Sequence, residues 1–302
     1  MPHSSYSMSR GTLVSVLSAV MFGVIYFLTP SLSPLEGVQV WAIRIIVSIP
    51  IVALILIAMR QTNLFTDIFK RVRKNPWLIL ALALSGSLLT LQLWIFGWAP
   101  LNGRGLQVAL GYFLLPLVLV LVGRFLYKDQ LKWWHWAAAG VAAIGVGYQT
   151  VVMGGVSWET LVVCLGYPVY FVLRRSLHTA STGGMLWDLL MLSPVAVIVL
   201  IIELTRGDAF TVNPALWWFA PTVSLLAAIA LWLYVLASRL LPISIFGLLS
   251  YLEPALLIVA SLLIGERIIA NELVTYAAIW IAVLILFVGG ITDFFRSRGF
   301  RI

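Results

Sequence analysis

The sequence has 302 residues, of which 62% are hydrophobic and only 10% charged, and its mean hydropathy is +1.05. Soluble domains carry about 25% charged residues, so this composition excludes a water-soluble globular fold and makes lipid the main solvent. The net charge of +8 does not point to nucleic acid, because the basic residues fall between apolar runs, and a single cysteine, Cys164, excludes disulfides and cysteine metal sites.

A helix crosses a bilayer with about 20 apolar residues. After a polar tail, 1–10, without a cleavable signal pattern, such runs are expected at 11–29, 38–59, 76–97, 104–126 and 133–152. Five more follow at 156–173, 183–204, 214–237, 242–264 and 271–291, before a basic tail at 292–302. The longest polar break, Arg60 to Asn75, leaves no room for an extramembrane catalytic domain. With both termini inside, the cytoplasmic breaks hold fifteen Lys and Arg residues, among them Lys70, Arg71, Arg73, Lys74, Arg174 and Arg175. The outer breaks hold three: Arg104, Arg206 and Arg267. Positive charge collects on the cytoplasmic side, so a multi-pass protein of the bacterial inner membrane with both termini in the cytoplasm is expected.

The two halves echo each other. Phe22-Gly-Val-Ile-Tyr26-Phe27 is similar to Gly166-Tyr-Pro-Val-Tyr170-Phe171, and Gly111-Tyr112-Phe-Leu-Leu-Pro116 to Ser250-Tyr251-Leu-Glu-Pro254. Two sets of five spans, 11–152 and 156–291, run in opposite directions because five is odd. The expected fold class is an all-α integral membrane protein of ten transmembrane helices in two inverted five-helix repeats. Secondary transporters built so hold substrate between the halves near the midplane.

Ionisable groups inside the membrane cost about 2.5–3.5 kcal/mol on insertion scales and mark functional sites. Glu253 lies about 16 Å from the cytoplasmic end of its span, near the midplane. Arg44 and Asp188 each lie about 8–9 Å deep, from opposite sides. Their offset of 144 residues is the one that relates Tyr26 to Tyr170, but the depths leave about 12 Å between them. Each therefore marks a vestibule edge or pairs with another group; the structural alternatives are a helix–helix contact for Arg44 and snorkelling to cytoplasmic water for Asp188. Glu253 is either a proton carrier or a cap for backbone groups freed by Pro254.

Deep aromatics recur beside these groups and beside Gln92 and Gln107, as in a cavity lined for an organic substrate. The candidate substrate-binding set is Trp41, Arg44, Gln92, Trp94, Trp98, Gln107, Tyr112, Tyr167, Tyr170, Asp188, Trp232, Tyr234, Ser250 and Tyr251. Trp187 is a further deep aromatic, whereas Trp133, Trp134, Trp136, Trp217 and Trp218 read as interfacial belts. Pro116 and Pro254, at matching places, are candidate hinges. The glycines from Gly140 to Gly147 serve close helix packing, with a homodimer as one candidate use.

The motifs Gly111-Tyr112-Phe113-x-x-Pro116, Tyr170-x-x-x-Arg174-Arg175, Asp188-x-x-x-x-x-Pro194 and Tyr251-x-x-Pro254 with Gly265-Glu266 occur in order along nearly the whole chain. In these the sequence resembles the RarD-like branch of the drug/metabolite transporter superfamily, the EamA-type permeases. The resemblance implies alternating-access transport of small metabolites, with export as the implied direction; relatives export amino acids, derived metabolites and drugs, or carry sugars and nucleotide derivatives. This chain has Ile43-Arg44 where the branch usually has His-Arg, Gln107 where it has an acid, and Leu115 where it has Asn.

His3, His135 and His178 are scattered over tail, interface and loop, which leaves no metal or acid–base cluster and argues against an intramembrane enzyme. No repeated polar filter of the channel kind is present, and no ATP-binding loop. The expected function is a secondary-active permease, an exporter of an amino acid, an amino-acid-derived zwitterion or an organic anion, with a metallophore or drug as further cargo. A facilitative exchanger or an uptake carrier is the alternative. No cofactor and no nucleic acid partner are expected; the partners are the small-molecule substrate, the lipid bilayer and protons as the candidate coupling ion.

Overall fold

In lipid every backbone N–H and C=O has to be satisfied within its own segment, so an apolar chain resolves into helices. The computed structural model describes residues 3–128, 132–153, 155–241, 246 and 249–297, and it contains no strand among the described residues. The helices are α1 (His3–Leu28), α2 (Gly37–Ala58), α3 (Asn63–Lys74), α4 (Leu78–Leu101), α5 (Gly105–Tyr127) and α6 (Trp133–Met153). They continue with α7 (Trp158–Ser176), α8 (Thr182–Arg206), the short α9 (Ala209–Val212), α10 (Leu216–Leu240), α11 (Leu252–Ile264) and α12 (Leu273–Ser297). A 3-10 turn, Thr29–Leu32, follows α1.

Among the described residues seven helices are long and apolar enough to cross a membrane: α1, α2, α4, α5, α8, α10 and α12. The chain is therefore a multi-pass membrane protein. Helix also occupies 133–153, 158–176 and 252–264. Of these α7 carries Glu159, Arg174 and Arg175, and α11 has 13 residues, too few to span alone. Part of the expected span 242–264 lies outside the described residues. Within it, residues 246 and 249 are helical, Ser250 and Tyr251 form a turn, and α11 begins afresh at Leu252.

The stretch from Arg60 to Asn75, expected as a plain polar break, contains a helix instead. Leu64, Phe65, Ile68 and Val72 recur on one face of α3, and Ile68 and Val72 are buried with Leu82 of α4 and Trp187 of α8. Arg71, Arg73 and Lys74 occupy its last turn, where positive charge suits the helix dipole.

The described chain divides into two compact units, each drawing on both halves of the sequence. The α2–α8 unit comprises Val24–Gly103 and Val169–Trp232. In it α2 and α4 pack on α8 and on each other, and α3 packs across α8. Its core joins Trp41, Ala42, Ile45, Val52 and Leu56 of α2 to Leu186, Leu189 and Ala196 of α8. The α6–α12 unit comprises Met1–Gly23, Arg104–Pro168 and Leu233–Ile302. There α12 runs along α6 and α11 along α5; the Thr275 hydroxyl donates to the Gly145 carbonyl at 3.2 Å and the Tyr276 hydroxyl to that of Leu106 at 3.1 Å.

Candidate functional site

Arg44 sits one turn past Val40 and Trp41 on α2 and is only 5% exposed. Its Nη2 donates to the Thr29 hydroxyl at 3.0 Å, and its guanidinium carbon lies 5.5 Å from the centre of the Phe96 ring. Tyr26 meets Phe96 edge-on at 5.0 Å. Gly97 leaves room for the guanidinium, since a Cβ there would come within 3.3 Å of Nη1. One turn along α4, Trp94 and Trp98 stack at 5.4 Å, and Gln92 is fully buried. The α2–α8 unit thus gathers Arg44 with Phe96 and Gly97 of α4, the helix that also carries Gln92, Trp94 and Trp98. Trp41 serves the α2–α8 core, its ring nitrogen buried without a partner. Trp232 is half-buried in the same unit.

A second polar cluster of this unit ties α7 to α8. Asp188 Oδ2 accepts from the Tyr170 hydroxyl at 2.9 Å and from Arg174 Nη1 at 2.8 Å. Arg174 Nη1 also contacts the Tyr170 oxygen at 2.5 Å, while Nη2 donates to the carbonyls of Thr179 and Ser181. Arg174 and Asp188 are 5% and 1% exposed. Asp188 therefore does not snorkel to cytoplasmic water, and its partner is Arg174, which stands in the sequence as a topology charge and a motif residue but not among the candidate site residues. The available signal was the Tyr170-x-x-x-Arg174 spacing, which puts both on one helix face.

The α6–α12 unit collects the remaining candidates. The hydroxyls of Tyr112 and Tyr167 lie 3.2 Å apart with their ring centres at 5.8 Å, and Tyr234 meets Phe246 edge-on at 4.9 Å. Tyr167 and Tyr234 both lie within electrostatic reach of Glu253. The side-chain oxygen of Gln107 and the hydroxyl of Tyr251 are buried without a partner, and Ser250 lies in the turn before α11. Pro116 is inside α5. Glu253 and Pro254 stand in the first turn of α11 rather than inside a continuous helix. Proline there removes no hydrogen bond within α11, which leaves Glu253 no freed group inside α11 to cap. A carboxylate at this position instead meets the positive end of the helix dipole.

At the other end of α5 two side chains that the sequence reading left unassigned hold its start. Both oxygens of Glu266 accept backbone N–H groups, from Gly105 at 2.7 Å and Leu106 at 2.8 Å. Arg104 donates to the buried Glu159 at 2.5 Å, and that bond raises the arginine's pKa. Burial pushes the Glu266 carboxyl up from its ordinary range, against the pull of the two N–H donors and of Arg104. None of these contacts makes a metal centre: no group of three or more His, Cys, Asp or Glu residues able to hold a metal occurs among the described residues.

No family model matches the chain. The uncharacterized transporter of Haemophilus influenzae is 35% identical over 284 residues, covering 94% of this chain and 95% of that protein. One solved structure, known only as the crystal structure of a protein, superimposes with a TM-score of 0.57 over 94% of this chain and 99% of its own; at 16% identity it shows the fold alone. The chloramphenicol-sensitive protein RarD of Pseudomonas aeruginosa is 40% identical over 277 residues, covering 91% of this chain and 93% of RarD. At these identities over more than nine tenths of both chains, the chain belongs to the RarD-like family of membrane transporters, within the drug/metabolite transporter superfamily.

Proposed function

We propose that the chain is a secondary-active permease of the bacterial inner membrane that exports a small metabolite by alternating access. The cargo is an amino acid, an amino-acid-derived zwitterion or an organic anion, the class that also takes in metallophores and drugs. Arg44 carries the reading. A guanidinium held in a span by a hydroxyl and an aromatic face presents a planar fork that suits a carboxylate bidentately, and the Trp94–Trp98 stack on α4 suits an organic body.

Ten spans in two inverted repeats are supported by the pairing of α2 with α8, α5 with α11 and α6 with α12, since each pair joins helices of the same rank in the two halves. The Lys/Arg asymmetry supports cytoplasmic termini. Energy comes from a proton gradient or from the substrate's own concentration difference, with Glu253 as the candidate coupling carboxylate, and a homodimer is a candidate assembly. No enzymatic step is assigned.

Purified protein in liposomes loaded with a bacterial metabolite extract tests the reading. Saturable counterflow of a carboxylate-bearing compound, lost in Arg44→Ala, is the expected result. Absence of flux for the whole pool, or undiminished flux in Arg44→Ala, would overturn it. Flux that needs no proton gradient would instead identify a facilitative exchanger.

A further inference from the structure

The two oxygens of the Asp188 carboxylate have unequal surroundings. Oδ2 accepts from Tyr170 and Arg174, whereas buried Oδ1 has no donor within hydrogen-bond distance. The Ser85 side chain of α4 faces the same carboxylate and is itself fully buried. Arg174 extends this cluster outward, because its second nitrogen holds the carbonyls of Thr179 and Ser181 in the turn between α7 and α8. Gly184 is required for that grip: a Cβ at its position would overlap the Thr179 carbonyl and Arg174 Nη2. From the other side, Arg71 of α3 donates to the carbonyls of Leu177 at 2.7 Å and His178 at 3.3 Å. One turn of the chain is thus held by two arginines, one of which is balanced by a single buried acid.

We propose that Asp188 is a proton-binding site of the transporter, and that protonation of its unpartnered oxygen releases the α7–α8 turn. This rests on the transporter reading above. The proton comes from hydronium in bulk water, whose O–H bond breaks to leave neutral water, and adds to Oδ1; no other bond changes. It neutralises the carboxylate and leaves the Arg174 guanidinium as a buried charge without its counter-ion. A guanidinium stays charged, and a buried charge stripped of its partner is strongly disfavoured. Arg174 therefore swings toward water, past the exposed Arg175, Ser176 and His178, and lets go of Thr179 and Ser181 as it leaves.

The groups that face Asp188 leave it as the responding acid. From α7 they are Tyr170 and Arg174, and from α4 Ser85. α2 presents the apolar Trp41, Ala42 and Ile45 to α8, and its Arg44 is engaged with Thr29 and Phe96. α3 presents Phe65 and Phe69 to Trp187, and its Arg71 grips the turn that carries His178. α8 itself carries no other titratable residue before Glu203.

Thr179 is 1% exposed, so a cysteine in its place reports opening of the turn. The experiment is the labelling rate of Thr179→Cys, in a Cys164→Ala background, by a thiol reagent, corrected at each pH by the rate on the unfolded chain. It needs no substrate, so its failure leaves the Arg44 reading untouched. The corrected rate should rise about tenfold between about pH 8 and about pH 5, along a single-proton curve. With Asp188→Asn it should be fast and independent of pH. Tyr170→Phe removes one donor to the carboxylate and should keep the titration but move its midpoint to higher pH. A flat response in the parent protein, or an Asp188→Asn variant that titrates like the parent, overturns the proposal. Should Asp188→Asn not fold, Tyr170→Phe decides alone, and an unmoved midpoint overturns it.

Discussion

The Thr29 hydroxyl accepts from Arg44 Nη2 at 3.0 Å and donates to the Ile25 carbonyl at 2.7 Å, so the guanidinium is aimed by the end of α1. A hydrogen bond with one charged partner contributes about 1.5–3 kcal/mol. Thr29→Val keeps shape and burial but removes the acceptor, and should weaken counterflow affinity about tenfold or more. Arg44→Lys keeps the charge and loses the planar fork, and should weaken it at least as much. Half-saturation concentrations for counterflow check both; values equal to the parent protein would remove Arg44 from the binding site.

Glu266 caps the first turn of α5 from a distant part of the chain, and Glu266→Ala should cost about 1–2 kcal/mol, the range for loss of an N-cap. The pH dependence has a definite sign. Burial holds the Glu266 pKa above its unfolded value, so the folded protein holds that proton more firmly. The associated stability is complete below the unfolded pKa and is lost as pH rises through the folded one. Glu266→Gln retains an acceptor oxygen and carries no charge. Relative to this variant the parent protein should lose melting temperature from acid to neutral pH, and melting curves in detergent at the two pH values read the difference.

The seven spans α1, α2, α4, α5, α8, α10 and α12 were legible because apolar runs of bilayer length are separated by polar breaks, and a lipid solvent admits little except helix in such runs. α3 was not, because average polarity hides a one-sided pattern: Leu64, Phe65, Ile68 and Val72 stand among Lys70, Arg71, Arg73 and Lys74, and only their spacing gives the helix away. Arg174 was hidden by its neighbour Arg175, which made the pair look like a loop charge, although the two differ in burial by a simple matter of helix face. Glu253 reads from sequence as a mid-span residue, whereas the turn at Ser250–Tyr251 puts it and Pro254 in the first turn of α11. The bonds from Glu266 to Gly105 and Leu106 join residues with no local pattern in common, so nothing in either segment announces the other.

Glu253→Gln separates coupling from structure. In the first turn of α11 the carboxylate gains about 0.3–1 kcal/mol from the helix dipole, and it spares no backbone group freed by Pro254. The variant should therefore fold and melt close to the parent protein. If Glu253 carries the coupling proton, flux driven by a proton gradient should disappear in the variant while substrate exchange without a gradient persists. Gradient-driven flux that survives at the parent rate would leave Glu253 as a helix-end charge only.

The last prediction concerns α3, whose seat on α8 is made by one tryptophan. Trp187 stacks on Phe65 at 5.0 Å and on Phe69 at 6.4 Å, and its ring nitrogen donates to the Phe65 carbonyl at 3.2 Å. Gly183, four residues before it on α8, lets the α3 backbone come into direct contact, because a Cβ there would overlap Leu64 and Phe65. Trp187→Ala removes the ring that Ile68, Val72 and Leu82 pack around and should cost about 3–5 kcal/mol. Trp187→Phe keeps most of the stack and loses one hydrogen bond, for about 0.5–1.5 kcal/mol. Because α3 also carries Arg71, loosening it should free the Leu177 and His178 carbonyls. Limited proteolysis within 60–75 should therefore accelerate in the order parent, Trp187→Phe, Trp187→Ala, and the α7–α8 turn should become more accessible in the same order. Faster cleavage of α3 with an unchanged turn would mean that the two arginines hold it independently.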